Sequence, residues 1–232
     1  RQRQMCIRDR KKRIGKTRGE KMIGIIGAVD QEAIEIKKEM TDVTQEEIGG
    51  ISFYKGKLCG KDIVFVQSGI GKVNAALTAT LLIDRFDVEK VIFSGVAGSL
   101  NKELNVGDIV IGTDVVQHDV DATEFGYKLG QIPQMKEWAF EGDKELIEKV
   151  KSLRESKERL FFGRILTGDQ FVSKKDVKIS LGSDFSALCV DMESGAVAQV
   201  CTRLGKGFLI IRSISDSVSY THLRAHETRH DL

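Results

Sequence analysis

The feature that most constrains this chain is a repeated local pattern in which a short apolar run ends in a glycine-containing or acidic turn and gives way to a helical stretch. MIGIIGA, from Met22, ends this way and predicts a buried strand leading into a helix over about 31–40. Residues 51–58 and 62–68 read as paired strands, and Ser68-Gly69-Ile70-Gly71 opens an Ala/Leu-rich helix from Val73 to about Phe86. VIFSGVAGS (91–99) and GDIVIGTDVV (107–116) are further strands. The second half predicts a charged helix over 143–156, strands at 160–167, 187–191 and 207–215, a short helix over 174–181, and a helix from Ser194 to Leu204. Strands alternating with helices imply an α/β protein with three layers. With 232 residues and 41% hydrophobic content, the chain supports one sizeable core, whereas two domains would each be thin.

Two features fall outside the pattern. Residues 117–140 gather four of the fifteen aromatics, the single tryptophan among them, and the single proline without a clear period, which predicts a long functional loop. Three acids, Glu32, Glu193 and Asp216, stand at strand exits, beside the 94–98 glycine turn and Asp191-Met192. Any one of them reads more simply as a helix N-terminal charge. Their recurrence at one sheet edge, where α/β proteins bind ligands, points instead to acid/base chemistry on a sugar bond.

Eight segments carry a more specific resemblance. GIIGAVDQE (24–32), SGIGKVNAA (68–76), SGVAG (94–98), VGDIV (106–110), HDVDATEFGYKLGQIP (118–133), TGDQFV (167–172), VDMES (190–194) and RSISD (212–216) together resemble the bacterial 5'-methylthioadenosine/S-adenosylhomocysteine nucleosidases. The resemblance runs from about Met22 to Asp216 and implies a nucleoside phosphorylase-like fold, three-layer α/β/α around a central mixed twisted sheet. It implies hydrolysis of the N-glycosidic bond with release of adenine, and no cofactor or metal. Residue by residue, Glu32 matches the acid that activates water, and Asp216 the general acid at purine N7. Glu193 matches the ribose-hydroxyl acceptor beside Met192. Phe171 matches the residue that stacks on adenine, and Val172 the one whose backbone reads the base edge. Ile70, Phe125, Tyr127 and Pro133 match the apolar 5'-thio pocket, with loop 118–133 completing a neighbour's site across a homodimer. Val96, in the central turn, and Arg212, in the last motif, are carried over as substrate-binding positions.

The chemistry coheres with these assignments. Adenine departs as a neutral base only once N7 is protonated, and an aspartic acid serves as donor at neutral pH only in a secluded site. Glu193 is expected to stay ionised, near the developing ribosyl cation. The nearest rival is a phosphate-dependent purine nucleoside phosphorylase. Its phosphate-contacting Arg and Ser fall at Phe93 and Val96 here, and an extra carboxylate at Glu32 would repel phosphate, so water is the expected nucleophile. A nucleoside-binding protein without turnover is a second alternative.

Charge and cysteines add exclusions. Of the net +2, residues 1–21 carry +8 (ten Lys/Arg against two acids) and 217–232 balance, leaving 22–216 at −6. Such a body offers nucleic acid no electrostatic footprint. Cys6, Cys59, Cys189 and Cys201 lack C-x-x-C spacing and read as reduced thiols of a cytoplasmic protein. No apolar run reaches the ~20 residues of a bilayer span. His226-Glu227-Thr228-Arg229-His230 satisfies a zinc-binding pattern but has no third ligand downstream, and Gly71-Lys72 imitates a phosphate loop although Val73 replaces the required Ser/Thr.

The expected domain organisation is a non-native or disordered basic leader (1–21), a nucleosidase domain lacking its final helix (22–216) and a non-native tail (217–232). Family members continue past RSISD into a helix whose entrance closes over the purine, so Asp216 is expected to lack that cover.

Overall fold

A computed structural model describes residues 22–27, 30–152 and 159–216, with the backbone alone for 30–33. The elements run β1 (Ile23–Gly27), α1 (Asp30–Glu39), β2 (Thr41–Ile48), β3 (Ile51–Leu58), β4 (Lys61–Gln67), α2 (Lys72–Phe86), β5 (Lys90–Ser99) and β6 (Ile109–Gln117). A one-turn 3-10 helix (Thr123–Phe125) comes next, then β7 (Phe140–Glu141), α3 (Lys144–Lys151), β8 (Leu160–Thr167), α4 (Lys175–Phe185), β9 (Ala187–Asp191), α5 (Ser194–Arg203) and β10 (Gly207–Asp216). The leader, the tail and the zinc-like pentapeptide lie outside the described residues.

The ten strands among the described residues form one mixed sheet, ordered β10-β6-β8-β9-β5-β1-β4-β3-β2, with β7 on β6. β10 also pairs with β5, so β5, β9, β8, β6 and β10 close a ring at one end of the sheet. The β1–β4, β1–β5 and β5–β10 pairs form one parallel set and β6–β8 and β8–β9 another, joined by the antiparallel β5–β9 and β6–β10 pairs, and the curl of the ring brings the carboxyl ends of β5, β8, β9 and β10 around one cavity.

Side-chain alternation along the strands separates the layers. On β1 and β4, Ile26, Val64 and Val66 pack with Ala75, Ala79 and Leu82 of α2, whereas Ile25, Ile63 and Phe65 pack with Ile36 of α1. On β10, Phe208, Ile210 and Ile214 join Val197 and Cys201 of α5, while Leu209 and Ile211 meet Ile147 and Val150 of α3. Helices α2 and α5 thus cover one face and α1 and α3 the other, giving the expected three layers.

Some element bounds differ from expectation for identifiable reasons. β2 escapes the sequence pattern because seven of its eight positions are exposed, and an edge strand with no buried face leaves no period to read. Helix α4 extends to Phe185 rather than stopping at 181, because Gly182 permits close packing rather than terminating the helix: a Cβ there would stand 2.6 Å from the Leu100 carbonyl oxygen. Residues 118–139 contain only the 3-10 turn, as the irregular composition predicts.

Candidate active site

At the carboxyl edge of the parallel strands lies a cavity of about 250 Å³, near the ~300 Å³ lower end of ordinary small-ligand pockets. Ile70, on the turn after β4, forms one wall with Val96 and Ala97 at the end of β5; Gln170, Phe171 and Val172 after β8 form another. Asp191, Met192 and Glu193 at the exit of β9 and Ser215 on β10 complete it. The lining contains neither Lys nor Arg.

The strand exit at 191–194 separates two roles that the sequence leaves merged. Asp191 does the structural work: its Oδ1 accepts from Thr167 Oγ1 (2.6 Å), Ser194 N (3.1 Å) and Glu193 N (3.2 Å), and its Oδ2 accepts from Arg212 Nε (2.8 Å) and from Ser194 Oγ. It supplies the oxygens that the first turn of α5 needs. Glu193 makes no side-chain cap bond and faces the cavity. Gly71 N donates to its Oε1 (2.8 Å) and Met192 N to its Oε2 (3.2 Å). Burial pushes the Glu193 carboxyl above its ordinary range, against the Gly71 N–H and the Arg212 charge, which pull it down.

Arg212 lies behind the cavity wall. The resemblance implies a role in substrate binding, but the residue is fully buried, absent from the cavity lining, and ion-paired with Asp191. Its Nη1 donates to the Phe93 and Ile211 carbonyls, and its guanidinium lies 4.0 Å from the Phe93 ring centroid. The pair holds the 191–194 turn, while Arg212 Nη2 is buried without a hydrogen-bond partner among the described residues. Arg212→Met is therefore expected to strand a buried carboxylate and lower stability by about 3–5 kcal/mol, read as a falling urea midpoint.

Asp216 stands one residue beyond the cavity-lining Ser215. Its Oδ2 is bound by the Lys178 ammonium from α4, and its Oδ1 accepts from Ser215 Oγ (3.0 Å) and lies over Gly98. The expected lack of a helical cover concerns residues outside the described ones; among those described, a buried lysine stands at this carboxylate. Sequence reasoning misses Lys178, although a signal is present, since it occupies the Lys178–Leu181–Phe185 stripe of α4 that otherwise faces the core.

The remaining candidates divide into three groups. Met192, Phe171, Val172, Ile70 and Val96 all line the cavity. Phe125, Tyr127 and Pro133 do not: Phe125 is 84% exposed, Pro133 is exposed, and the Tyr127 hydroxyl accepts from Gln134 N (3.3 Å). Glu32 belongs to the first turns of α1, immediately after β1, and its side chain lies outside the described residues. Among the described residues no cluster of His, Cys, Asp and Glu is arranged to hold a metal, and no helix is long and apolar enough to cross a membrane. Cys189 and Cys201 are unpaired and buried, and burial pushes both thiols up, Cys201 to about 12.

A mixed α/β sheet carrying an apolar, carboxylate-bearing cavity at its strand ends is the architecture of the Phosphorylase superfamily, whose family model matches residues 22–231. A 5'-methylthioadenosine/S-adenosylhomocysteine nucleosidase of Staphylococcus haemolyticus is 44% identical over 197 residues, 84% of this chain and 86% of the relative. The chain belongs to that nucleosidase family. The nucleosidase of Neisseria meningitidis in complex with methylthio-immucillin-A superposes with a TM-score of 0.81 at 41% identity, covering 85% of this chain and 87% of the other. The futalosine hydrolase of Helicobacter pylori gives the same TM-score at 40% identity, with 85% of each chain covered.

Proposed function

We propose that this protein hydrolyses the N-glycosidic bond of 5'-methylthioadenosine and S-adenosylhomocysteine, releasing adenine and the 5-thioribose product. The observation that carries the reading is a cavity at the strand ends that combines apolar walls with Glu193 and contains no cation. Phosphate binding demands positive charge, and the position that would supply an Arg in a phosphorylase is Phe93, fully buried beneath Arg212. Water suits this cavity better than phosphate.

In the proposed reaction, Glu193 accepts hydrogen bonds from the ribose hydroxyls beside Met192, with Val96 closing the same wall. Phe171 stacks on adenine and the Val172 backbone reads its edge. Asp216 donates a proton to N7, so that the C1'–N9 electron pair leaves with a neutral base. Glu32 takes a proton from water as its oxygen bonds to C1'. Ile70 forms the 5' wall together with Phe125, Tyr127 and Pro133 of a second copy. The exposure of Phe125 in the single chain supports that homodimer, in which loop 118–133 serves the neighbouring site. The buried, unpaired thiols support a cytoplasmic setting. Similarity to both nucleosidases and a futalosine hydrolase leaves the 5' substituent to be ranked by assay, since an apolar pocket discriminates weakly among such groups.

The test is adenine release from methylthioadenosine in phosphate-free buffer. Release is expected without phosphate, with Glu32→Gln and Asp216→Asn each slowing it by about 10²–10⁴. Formation of ribose 1-phosphate only when phosphate is added would establish a phosphorylase, and adenine binding without release would establish a binding protein.

A further inference from the structure

The Gly71-Lys72 pair, which resembles a phosphate loop only superficially, has a different role in the structure. Lys72 Nζ donates to both oxygens of Asp119, at 2.8 Å each. Asp119 Oδ2 also accepts from Asp169 N (2.9 Å), and Asp169 Oδ1 in turn accepts from Lys72 N (2.8 Å). The three residues close a ring of hydrogen bonds between chain segments separated by 47, 50 and 97 positions. Lys72 and Asp119 are mostly sheltered from water, with side chains 19% and 14% exposed. Burial pushes the Asp119 carboxyl up, but the Lys72 ammonium and the Asp169 N–H outweigh it and hold the group below the usual carboxylate range.

What the ring joins is the cavity mouth. Ile70 precedes Lys72 by two residues, and Phe171 comes two after Asp169; both line the cavity and both are 71% exposed. Both walls are irregular backbone. The Ile70 turn is flanked by Gly69 (φ 73) and Gly71 (φ 90), both in the left-handed region that glycine enters at a high entropy cost, and residues 168–174 form no helix or strand. Glu193 accepts from Gly71 N (2.8 Å), beside Lys72, but also keeps its place at the start of α5 and its bond from Met192 N (3.2 Å), so its carboxylate retains a hold outside the ring.

We propose that Lys72 and Asp119 are positioning residues that fix the separation between the Ile70 turn and the Phe171 loop, and so set how tightly the nucleoside is gripped rather than how fast it is cleaved. This rests on the nucleosidase reading of the cavity. Ile70 borders the 5' group and Phe171 the base, so the ring sets the span over which one ligand must touch both. Opening it frees two irregular segments, and their reordering must then be driven by ligand binding.

The experiment compares Lys72→Met, Asp119→Asn, the double variant and the charge-keeping Lys72→Arg with wild type. It reads kcat and KM for methylthioadenosine together with calorimetric Kd values for adenine and, in a Glu32→Gln background where turnover is slowed, for methylthioadenosine, and circular dichroism melting confirms that each variant is folded. Each neutral variant is expected to raise KM and the methylthioadenosine Kd by about tenfold or more, with kcat within about threefold. The double variant should resemble the singles because the residues act as a unit, and Lys72→Arg should recover most of the affinity. Affinities within twofold of wild type, or a loss carried by kcat alone, would overturn the proposal; if the neutral variants fail to fold, Lys72→Arg with full loss of affinity does the same. A wild type that binds methylthioadenosine without cleaving it defeats the nucleosidase reading, yet the Kd comparison still decides the role of the ring.

Discussion

Asp216→Asn is expected to lose activity and stability together, and a second substitution separates the two losses. In the wild type, Lys178 is 4% exposed and its ammonium is ion-paired with Asp216, whose side chain is 19% exposed. Asparagine keeps an acceptor for Lys178 but removes the opposing charge, leaving a cation inside the α4–β10 packing. Breaking a fully buried pair costs about 3–5 kcal/mol. Here the retained hydrogen bond and the partial exposure of Asp216 bring the expectation to about 2 kcal/mol. The catalytic loss is separate, because asparagine has no proton to give N7, and adenine release should fall by about 10²–10⁴. Adding Lys178→Met removes the stranded charge and fills its space with an unbranched apolar chain. The double variant should therefore recover most of the urea midpoint and none of the activity. Recovery of adenine release along with stability would show that Asp216 acts only as the lysine's counter-ion and not as the acid.

That this ion pair escapes anticipation shows what sequence reasoning can reach. The three layers follow from runs such as 23–27 and 207–215, where burial and period are written locally, and the site's location follows from where those runs end. Glu193, Met192, Phe171 and Ile70 are legible because each sits within a few residues of such an ending. Long-range partnerships leave weaker marks. Lys178 meets Asp216 across 38 residues, and Asp169 meets Lys72 across 97; nothing in the neighbourhood of either residue names its partner. Arg212 shows the same limit from inside a motif. Its position inside the last motif suggests ligand contact, and nothing near it names Asp191, 21 residues away, as its ion-pair partner. Asp191 and Glu193 make the contrast sharpest, since two acids two residues apart differ in role by the direction each side chain takes from the strand exit, one into the helix turn and one into the cavity.

That direction gives Glu193 an unusual balance of stability and function, and Glu193→Gln should expose it. The carboxyl is raised above its ordinary value of 4.5, chiefly by burial, so its ionised form is less favourable in the folded chain than in the unfolded one. By linkage, a carboxyl raised on folding contributes stability that is fully present below its unfolded pKa and is lost as pH rises through its folded pKa. At neutral pH wild type therefore carries a burden that the neutral amide removes. The glutamine oxygen can still accept from Gly71 N (2.8 Å), while the longer Met192 N contact (3.2 Å) is forfeited. The net expectation is a melting temperature above wild type at pH 7, with the difference shrinking as pH falls toward the ordinary carboxylate range and wild-type Glu193 takes up its proton. Adenine release should fall by about 10²–10³, because the amide offers one acceptor instead of two and no negative charge beside the ribosyl cation. A variant that melts several degrees below wild type at every pH would mean that Glu193 is retained to hold the Ile70 turn. A variant more stable and nearly inactive means that the ionised carboxylate is kept in the cavity at the expense of the fold, for the sugar it faces.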